Sequence, residues 1–347
     1  MSYSVKIRQS DVPLDVAMGD TILAAALAAG VPYPHGCQSG NCGACKSRLH
    51  AGEIEMSPYS DYALTDAEKG SGLVLACRAV PWSDCEVSWL EPDEVVAHPL
   101  RKLHCKVTAL DRMTHDIIRA RLSIKAGGPF NFTAGQYARV HFADLPPRDY
   151  SMANLPPDGN AGDGEIEFHI RAITGGGVST FVQNDLKVGD DVRVVGPYGI
   201  SYLRAKHTGP IVALAGGSGL APVKSIVESA LAAGAEQPIH MYFGVRAEQD
   251  VYLEDHFQNL AAKHDNFTFE IVLSEPDGDT ERRTGFLVDI VGDDFTDLDG
   301  AKAYLAGPPI MVETCAGKLK DISVRNEDCH ADAFYTEAEK AALNEAT

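Results

Sequence analysis

Pro34-His35-Gly36-Cys37-Gln38-Ser39-Gly40-Asn41-Cys42-Gly43-Ala44-Cys45 places three cysteines in nine residues, spaced C-x4-C-x2-C with glycines between them. A fourth, Cys77, follows after 31 residues in Val74-Leu75-Ala76-Cys77. This is the plant-type spacing for a 2Fe–2S cluster, and it makes Cys37, Cys42, Cys45 and Cys77 the candidate metal ligands. Four thiolates converging on two irons need a tightly wrapped loop. Gly36, Gly40 and Gly43 suit it, because glycine adopts positive φ and lets backbone N–H groups approach sulfur. A zinc ribbon would want two separated C-x2-C pairs, and this chain has one. Disulfide frameworks belong to small secreted chains. Buried free thiols do not account for three glycine-spaced cysteines plus a fourth. His35 is not needed as a Rieske-like ligand, since four cysteines complete the set.

Around this loop the pattern predicts a compact α+β module over residues 1–92. Residues 3–8 and 12–16 alternate as a hairpin. Asp20 or Thr21 caps a helix through Ile22–Leu27, which Gly30 ends. A short acidic helix near Thr65–Lys69 precedes a strand carrying Cys77, and residues 85–90 form another strand. Glu91-Pro92-Asp93-Glu94 opens a linker over 93–99.

From 100 to 207 the chain reads as strands at Leu103–Leu110, Ile117–Ile124, Gln136–Phe142, Gly164–Ile173 and Asp191–Val195, an antiparallel β-barrel. It contains Arg148-Asp149-Tyr150-Ser151-Met152 and a glycine run, Gly175-Gly176-Gly177-Val178-Ser179-Thr180, that leads into a helix. A helix start of this kind offers N–H groups to a pyrophosphate, and an arginine offers bidentate contacts to phosphate. From 208 to 336 the pattern is α/β, a doubly wound parallel sheet. Ile211–Ala215 runs into Gly216-Gly217-Ser218-Gly219-Leu220-Ala221-Pro222, a helix follows at roughly Val223–Ala233, and then the strand Ile239–Phe243. This is the dinucleotide-binding βαβ arrangement with proline in the third glycine's place. Strands Phe267–Leu273 and Ala303–Leu305 continue the sheet, and the second ends in the turn Ala306–Met311. Residues 337–347 form a polar, helix-prone tail expected to be disordered.

The formal net charge of −19 over 347 residues argues against nucleic-acid binding. No apolar run reaches the length of a membrane span. The N-terminus reads as a first strand rather than a targeting segment, which points to a reducing, cytoplasmic setting.

The three blocks together resemble the ferredoxin–NADP reductase superfamily with an N-terminal plant-type ferredoxin of β-grasp fold. The resemblance covers nearly the whole chain and is strongest to reductase components of bacterial aromatic-ring dioxygenases, of the naphthalene dioxygenase kind. It rests on Asp93–Pro99, Thr114–Ile117, Glu167–Arg171, Lys206–Pro210, Tyr242–Arg246 and Ala331–Tyr335. It implies FAD held by Arg148, Tyr150, Ser151 and Met152, with Arg148 on the pyrophosphate, Tyr150 on the isoalloxazine and Ser151 near N5. Tyr150 and Ser151 are the implied catalytic residues. His169, Ile170 and Arg171 join the cofactor-binding set, and Gly177, Val178, Ser179 and Thr180 would hold the FAD phosphates. Gly217, Ser218, Gly219, Pro222, Gly244, Arg246, Gly307, Pro308 and Met311 would bind the nicotinamide dinucleotide. Phe334 or Tyr335 would sit over the flavin. Ala306 stands where many relatives of this superfamily have a cysteine.

The implied function is an NADH-dependent iron–sulfur flavoprotein reductase. A flavin accepts two electrons as hydride and releases them singly, so it belongs between NADH and the cluster. The implied partner is a terminal oxygenase of the Rieske type or an intermediary ferredoxin, and no partner is a nucleic acid or a membrane. Arg246 beside Glu248 and Asp250 gives mixed signs for NADH against NADPH, and the resemblance favours NADH. Two alternatives keep the redox chain but change the acceptor, to a di-iron monooxygenase or a deoxysugar dehydratase. A third is a one-electron carrier or redox sensor without catalysis. Cys85, Cys105, Cys315 and Cys329 read as buried or inert thiols.

Overall fold

A computed structural model describes residues 2–36, 38, 40, 43–61, 63–90, 94, 96, 98–157 and 164–339. The chain divides into two compact units, Met1–Val95 with the residues from Tyr335 onward, and Val96–Phe334.

The first unit contains β1 (Ser2–Ile7), β2 (Leu14–Ala17), α1 (Ile22–Ala28), β3 (Lys46–Ala51), β4 (Ile54–Met56), α2 (Asp66–Gly70), β5 (Leu73–Leu75), β6 (Ala79–Pro81) and β7 (Cys85–Trp89). Its main sheet runs β2-β1-β7-β3-β5, with β1 antiparallel to β2 and parallel to β7. Alternation along β1 and β2 buries Val5, Ile7, Leu14 and Val16, and α1 adds Ile22, Leu23 and Ala26 to the same core. Each such aliphatic side chain contributes about 1.5–3 kcal/mol on full burial. The Thr21 hydroxyl caps α1 by accepting from the Ala24 N–H at 3.2 Å. A reciprocal capping box of Thr65 and Glu68 starts α2. Cys77 is not on a strand as expected. The β3–β5 ladder ends at Lys46 opposite Leu75, and the Arg78 N–H turns back to Leu75 O at 2.8 Å. Of the tail expected to be disordered, residues 340–347 lie outside the described residues. Glu337–Glu339 begin a helical turn in which Thr336 and Glu339 bond reciprocally, Glu339 N–H to Thr336 Oγ1 at 3.2 Å and Thr336 N–H to Glu339 Oε2 at 2.7 Å.

In the second unit, the first half contains β8 (Arg101–Arg112), β9 (Ile117–Ala126), β10 (Tyr137–Phe142), β11 (Arg148–Ser151), β12 (Glu165–Arg171), α3 (Gly177–Asn184) and β13 (Asp191–Tyr198). The order is β11-β10-β13-β8-β9-β12, antiparallel throughout. Alternate residues, such as Leu103, Cys105 and Val107 or Ile166, Phe168 and Ile170, fill the interior. The two end strands meet at one bridge, Met152 opposite Phe168, reinforced by Ala153 N–H to Glu167 O at 2.8 Å. The result is a nearly closed barrel.

The second half contains β14 (Ile211–Gly216), α4 (Leu220–Ala232), β15 (Ile239–Val245), α5 (Glu254–Ala261), β16 (Phe267–Leu273), β17 (Arg283–Thr284), α6 (Leu287–Asp294), β18 (Lys302–Gly307), α7 (Pro309–Asp321) and β19 (Cys329–Ala333). All pairs are parallel, in the order β17-β16-β15-β14-β18-β19, so the winding reverses between β14 and β18. Helix α4 starts at Leu220, three residues before the expected Val223. Pro222 is tolerated in that first turn, because the N–H it lacks would have no partner within the helix.

Candidate redox sites

In the first unit, Cys45 immediately precedes β3 and Cys77 lies in the turn after β5. The antiparallel pairing of those strands brings the two thiols to one end of the sheet. Both are buried, and the Cys77 N–H donates to Cys45 Sγ at 3.4 Å. An amide aimed at a cysteine sulfur stabilises thiolate and tunes a cluster it would hold. Behind them Tyr33 OH and Ser47 Oγ are 2.6 Å apart, and Ser47 donates to Cys45 O at 3.0 Å. Gly40 and Gly43 have φ of +80° and +71°. A Cβ on Gly40 would stand 2.9 Å from Arg78 Cγ and from Tyr59 Cβ, so glycine is required there. The described half of the ligand set fits a 2Fe–2S cluster; Cys37 and Cys42 lie outside the described residues. Among the other cysteines, burial raises the Cys85 thiol and pushes those of Cys105 and Cys315 up to about 12.

In the second unit, the expected flavin residues lie on or beside the two strands that end the barrel sheet, and in the first turn of α3. From the bridge at Met152 and Phe168, β11 and β12 separate, and among the described residues no ladder joins Arg148–Ser151 to His169–Arg171. Both stretches therefore border a break in the barrel's hydrogen bonding, the slit between β11 and β12. Tyr150 is half-buried, its ring 6.3 Å from that of Phe142 and 6.2 Å from that of Phe168, and burial pushes its hydroxyl up to about 12. Ser151 Oγ donates to Asp332 Oδ2 at 3.2 Å, a carboxylate on β19. Arg148 Nη1 donates to Pro147 O at 2.8 Å. Met152 and Ile170 are core side chains and offer only backbone. His169 is buried, with one ring nitrogen toward Glu167 and the other toward Tyr252. Arg171 Nε donates to Asp116 Oδ2 at 2.7 Å. Burial works to raise that carboxyl, but the Arg171 hydrogen bond and charge outweigh it and hold the group low. Helix α3 begins at Gly177 with no side-chain cap; Ser179 turns its hydroxyl onto Gly176 O, and Gly177 and Thr180 are exposed. Its first-turn amides and dipole suit an anion.

The nucleotide turns meet at the reversal of the sheet, where ligands of such folds bind. Gly217 has φ +54°. A Cβ on Gly219 would stand 2.0 Å from Ala306 O, and one on Gly216 would stand 2.6 Å from Met311 Sδ and 2.8 Å from Pro308 Cδ. Glycine thus lets the turns after β14 and β18 touch. Gly244 answers a different need, since Leu287 Cγ would lie 2.8 Å from its Cβ. The Ala306 methyl belongs to the sheet's core, and Phe334 packs against the same core. Arg246 is half-exposed, 3.8 Å from Asp250. Tyr335 belongs to the other unit.

Sequence reasoning gave no role to Asp332, which meets Ser151, nor to Lys224, Glu167 and Tyr252, which pack beside His169, although Glu167 and Asp332 lie in stretches that carry the resemblance. One signal was available for Lys224, a lone charge inside the apolar helix Leu220-Ala221-Pro222-Val223-Lys224-Ser225-Ile226-Val227.

The chain matches the 2Fe-2S iron-sulfur cluster binding domain over residues 5–81, the oxidoreductase FAD-binding domain over 104–202 and the oxidoreductase NAD-binding domain over 213–317. It is 44% identical to the ferredoxin–NAD(P)+ reductase component of the naphthalene 1,2-dioxygenase/salicylate 5-hydroxylase systems of Ralstonia sp., over 93% of this chain and 95% of that one. Identity to the naphthalene 1,2-dioxygenase system component of Pseudomonas putida is 40%, covering 88% and 90%. Among solved structures, a cytochrome P450 reductase of Amycolatopsis superposes with a TM-score of 0.74 at 33% identity, covering 96% and 98%. Among the described residues no helix is long and apolar enough to cross a membrane. The chain belongs to the ferredoxin–NAD(P)+ reductase family of oxygenase-system reductase components, NAD(P)H-dependent oxidoreductases built from 2Fe–2S, FAD and NAD domains.

Proposed function

We propose that this reductase takes electrons from NADH and delivers them, through FAD and the 2Fe–2S cluster, to a Rieske-type aromatic-ring-hydroxylating oxygenase, directly or through a separate ferredoxin. FAD supplies the conversion of a hydride's electron pair into single electrons for the cluster. The carrying observation is that the slit between β11 and β12 and the turns at the β14/β18 reversal belong to one compact unit. Arg148 would hold the flavin pyrophosphate and Tyr150 the isoalloxazine face. Ser151, oriented by Asp332, would hydrogen-bond near N5. Cys37, Cys42, Cys45 and Cys77 would hold the cluster. The domain limits that accompany this reading are 1–92, 100–207 and 208–336, and the thiolate set suits a cytoplasmic setting.

NADH is favoured over NADPH by charge. Arg282 is held by Glu248 at 2.7 and 2.8 Å and by Glu254 at 2.8 Å, so it is committed to carboxylates rather than open to a 2′-phosphate. A second reading, delivery to a monooxygenase, is favoured by the phenol 2-monooxygenase reductase component of Pseudomonas sp. (strain CF600), 35% identical over 98% of this chain.

Anaerobic addition of NADH to purified protein tests the scheme. Flavin and cluster absorbance should both bleach, and an unchanged spectrum sinks it. In Cys77→Ser, cytochrome c reduction should stop while ferricyanide reduction by the flavin continues. Product formation with purified dioxygenase or monooxygenase then separates the two acceptors.

A further inference from the structure

A line of buried polar side chains runs from α4 through β12 to the turn that opens the nucleotide site. Lys224, only 8% exposed, donates from Nζ to Ala153 O at 3.0 Å and faces Glu228 Oε2 at 3.2 Å and Glu167 Oε1 at 3.6 Å. Glu167 Oε1 lies 3.0 Å from His169 Nε2. His169 Nδ1 is 3.1 Å from Tyr252 OH, and that hydroxyl is 3.4 Å from Gly217 O. Burial keeps His169 neutral against the opposing pull of Glu167. Nε2–H therefore donates to the carboxylate, and the one proton of Tyr252 serves Nδ1 or Gly217 O. Beyond Glu228, His256 Nε2 is 2.5 Å from Oε1 near the surface.

The two ends of this line are informative. Ala153 follows Ser151 and Met152, the expected flavin contacts. Gly217 begins the turn expected to receive the dinucleotide. Between them stand Lys224 and Glu167, with Glu228 beside the ammonium, a buried charge group of a kind that apolar packing of similar volume often replaces without loss of stability. Its distinguishing property is directional: the contacts of Lys224 with Ala153 and Glu167, and of His169 with Tyr252, fix distances between barrel and nucleotide sheet that apolar side chains would leave free to slide.

We propose that Lys224, Glu167, His169 and Tyr252 are positioning residues for hydride transfer, setting the Ser151–Ala153 end of the flavin strand against the Gly217 turn. The inference rests on the flavin chemistry proposed above. Misplacement by about 1 Å costs a reaction of this kind up to about a hundredfold in rate.

The test is anaerobic stopped-flow reduction of the bound flavin in the full chain, with NADH varied. Lys224→Met should lower the limiting rate about tenfold or more, with FAD content and NADH dissociation constant within about twofold of the unsubstituted protein. An unchanged limiting rate, or a loss lying wholly in NADH affinity, overturns the proposal. Removing the ammonium leaves two carboxylates without the cation they share, so a second variant guards against misfolding. Tyr252→Phe deletes one hydroxyl and should slow the limiting rate by about threefold or more; a rate equal to the unsubstituted protein's overturns the proposal. Failure of the unsubstituted protein to bleach at all would instead overturn the flavin reading.

Discussion

Lys224 and Lys302 are both buried in the Val96–Phe334 unit, and they are held in different ways. Lys302, at the start of β18, meets Asp328 Oδ1 at 2.5 Å just before β19, and Arg325 Nε takes the other Asp328 oxygen at 2.6 Å. That is a local pairing between neighbouring segments of one half, β18 and the turn that leads into β19. Lys224 is divided between two carboxylates and a carbonyl, on α4 and on the barrel segments around β12. The same ammonium group serves cohesion in one place and alignment in the other. Where its partners sit decides which.

The largest effect should follow from breaking the Lys302–Asp328 pair. Lys302→Met leaves Asp328 buried with one partner fewer and should cost about 3–5 kcal/mol in urea unfolding. Its limiting rate of flavin reduction per bound FAD should not change. A parallel fall in that rate would erase the contrast between the two lysines.

Next comes pH. Burial acts to raise the Glu167 carboxyl, but the His169 hydrogen bond and the Lys224 charge outweigh it and bring the group to about 2, from 4.5. A depressed carboxyl adds stability above its unfolded value and loses it as pH falls. The contribution, of order 3 kcal/mol, should be complete above about pH 4.5 and vanish by about pH 2. His169, held neutral, gives up its share earlier, as pH drops below 6.5. Glu167→Gln should flatten the lower part of the acid branch of stability against pH. A branch of unchanged slope would mean that the line around Lys224 does not titrate with folding.

The smallest effect is expected from Ser225→Ala. The Ser225 hydroxyl donates to Asn154 O at 2.8 Å, across the same boundary as Lys224 but without charge. About 1 kcal/mol of stability should go. The limiting rate should fall less than in Lys224→Met, and an equal fall would assign the alignment to any contact at that boundary.

Much of this molecule was legible before its structure. Cysteine spacing needed no tertiary information, because four thiolates on two irons limit the loop by themselves. The βαβ reading worked for a related reason: Ile211–Ala215 is apolar without alternation, and glycines follow directly. Strand β11 escaped notice because Arg-Asp-Tyr-Ser has no apolar alternation to reveal it, and β17 and β19 are too short or too polar. The carboxylate of Asp332 reaches Ser151 across 181 positions. No periodicity in a single sequence reports such a meeting. Lys224 was visible as an anomaly, but its meaning depended on Glu167, which reads in isolation as an ordinary strand residue.

The slit in the barrel has a further consequence, for solubility. A closed barrel has no edges, whereas β11 and β12 part beyond Met152 and Phe168 and so present two rims of backbone N–H and C=O groups. Such rims invite pairing with another chain. The stretches expected to grip the flavin are those same rims. With the flavin gripped as proposed, occupying the slit would be a form of protection as well as a step toward catalysis, and a chain emptied of its flavin would be left with an adhesive seam.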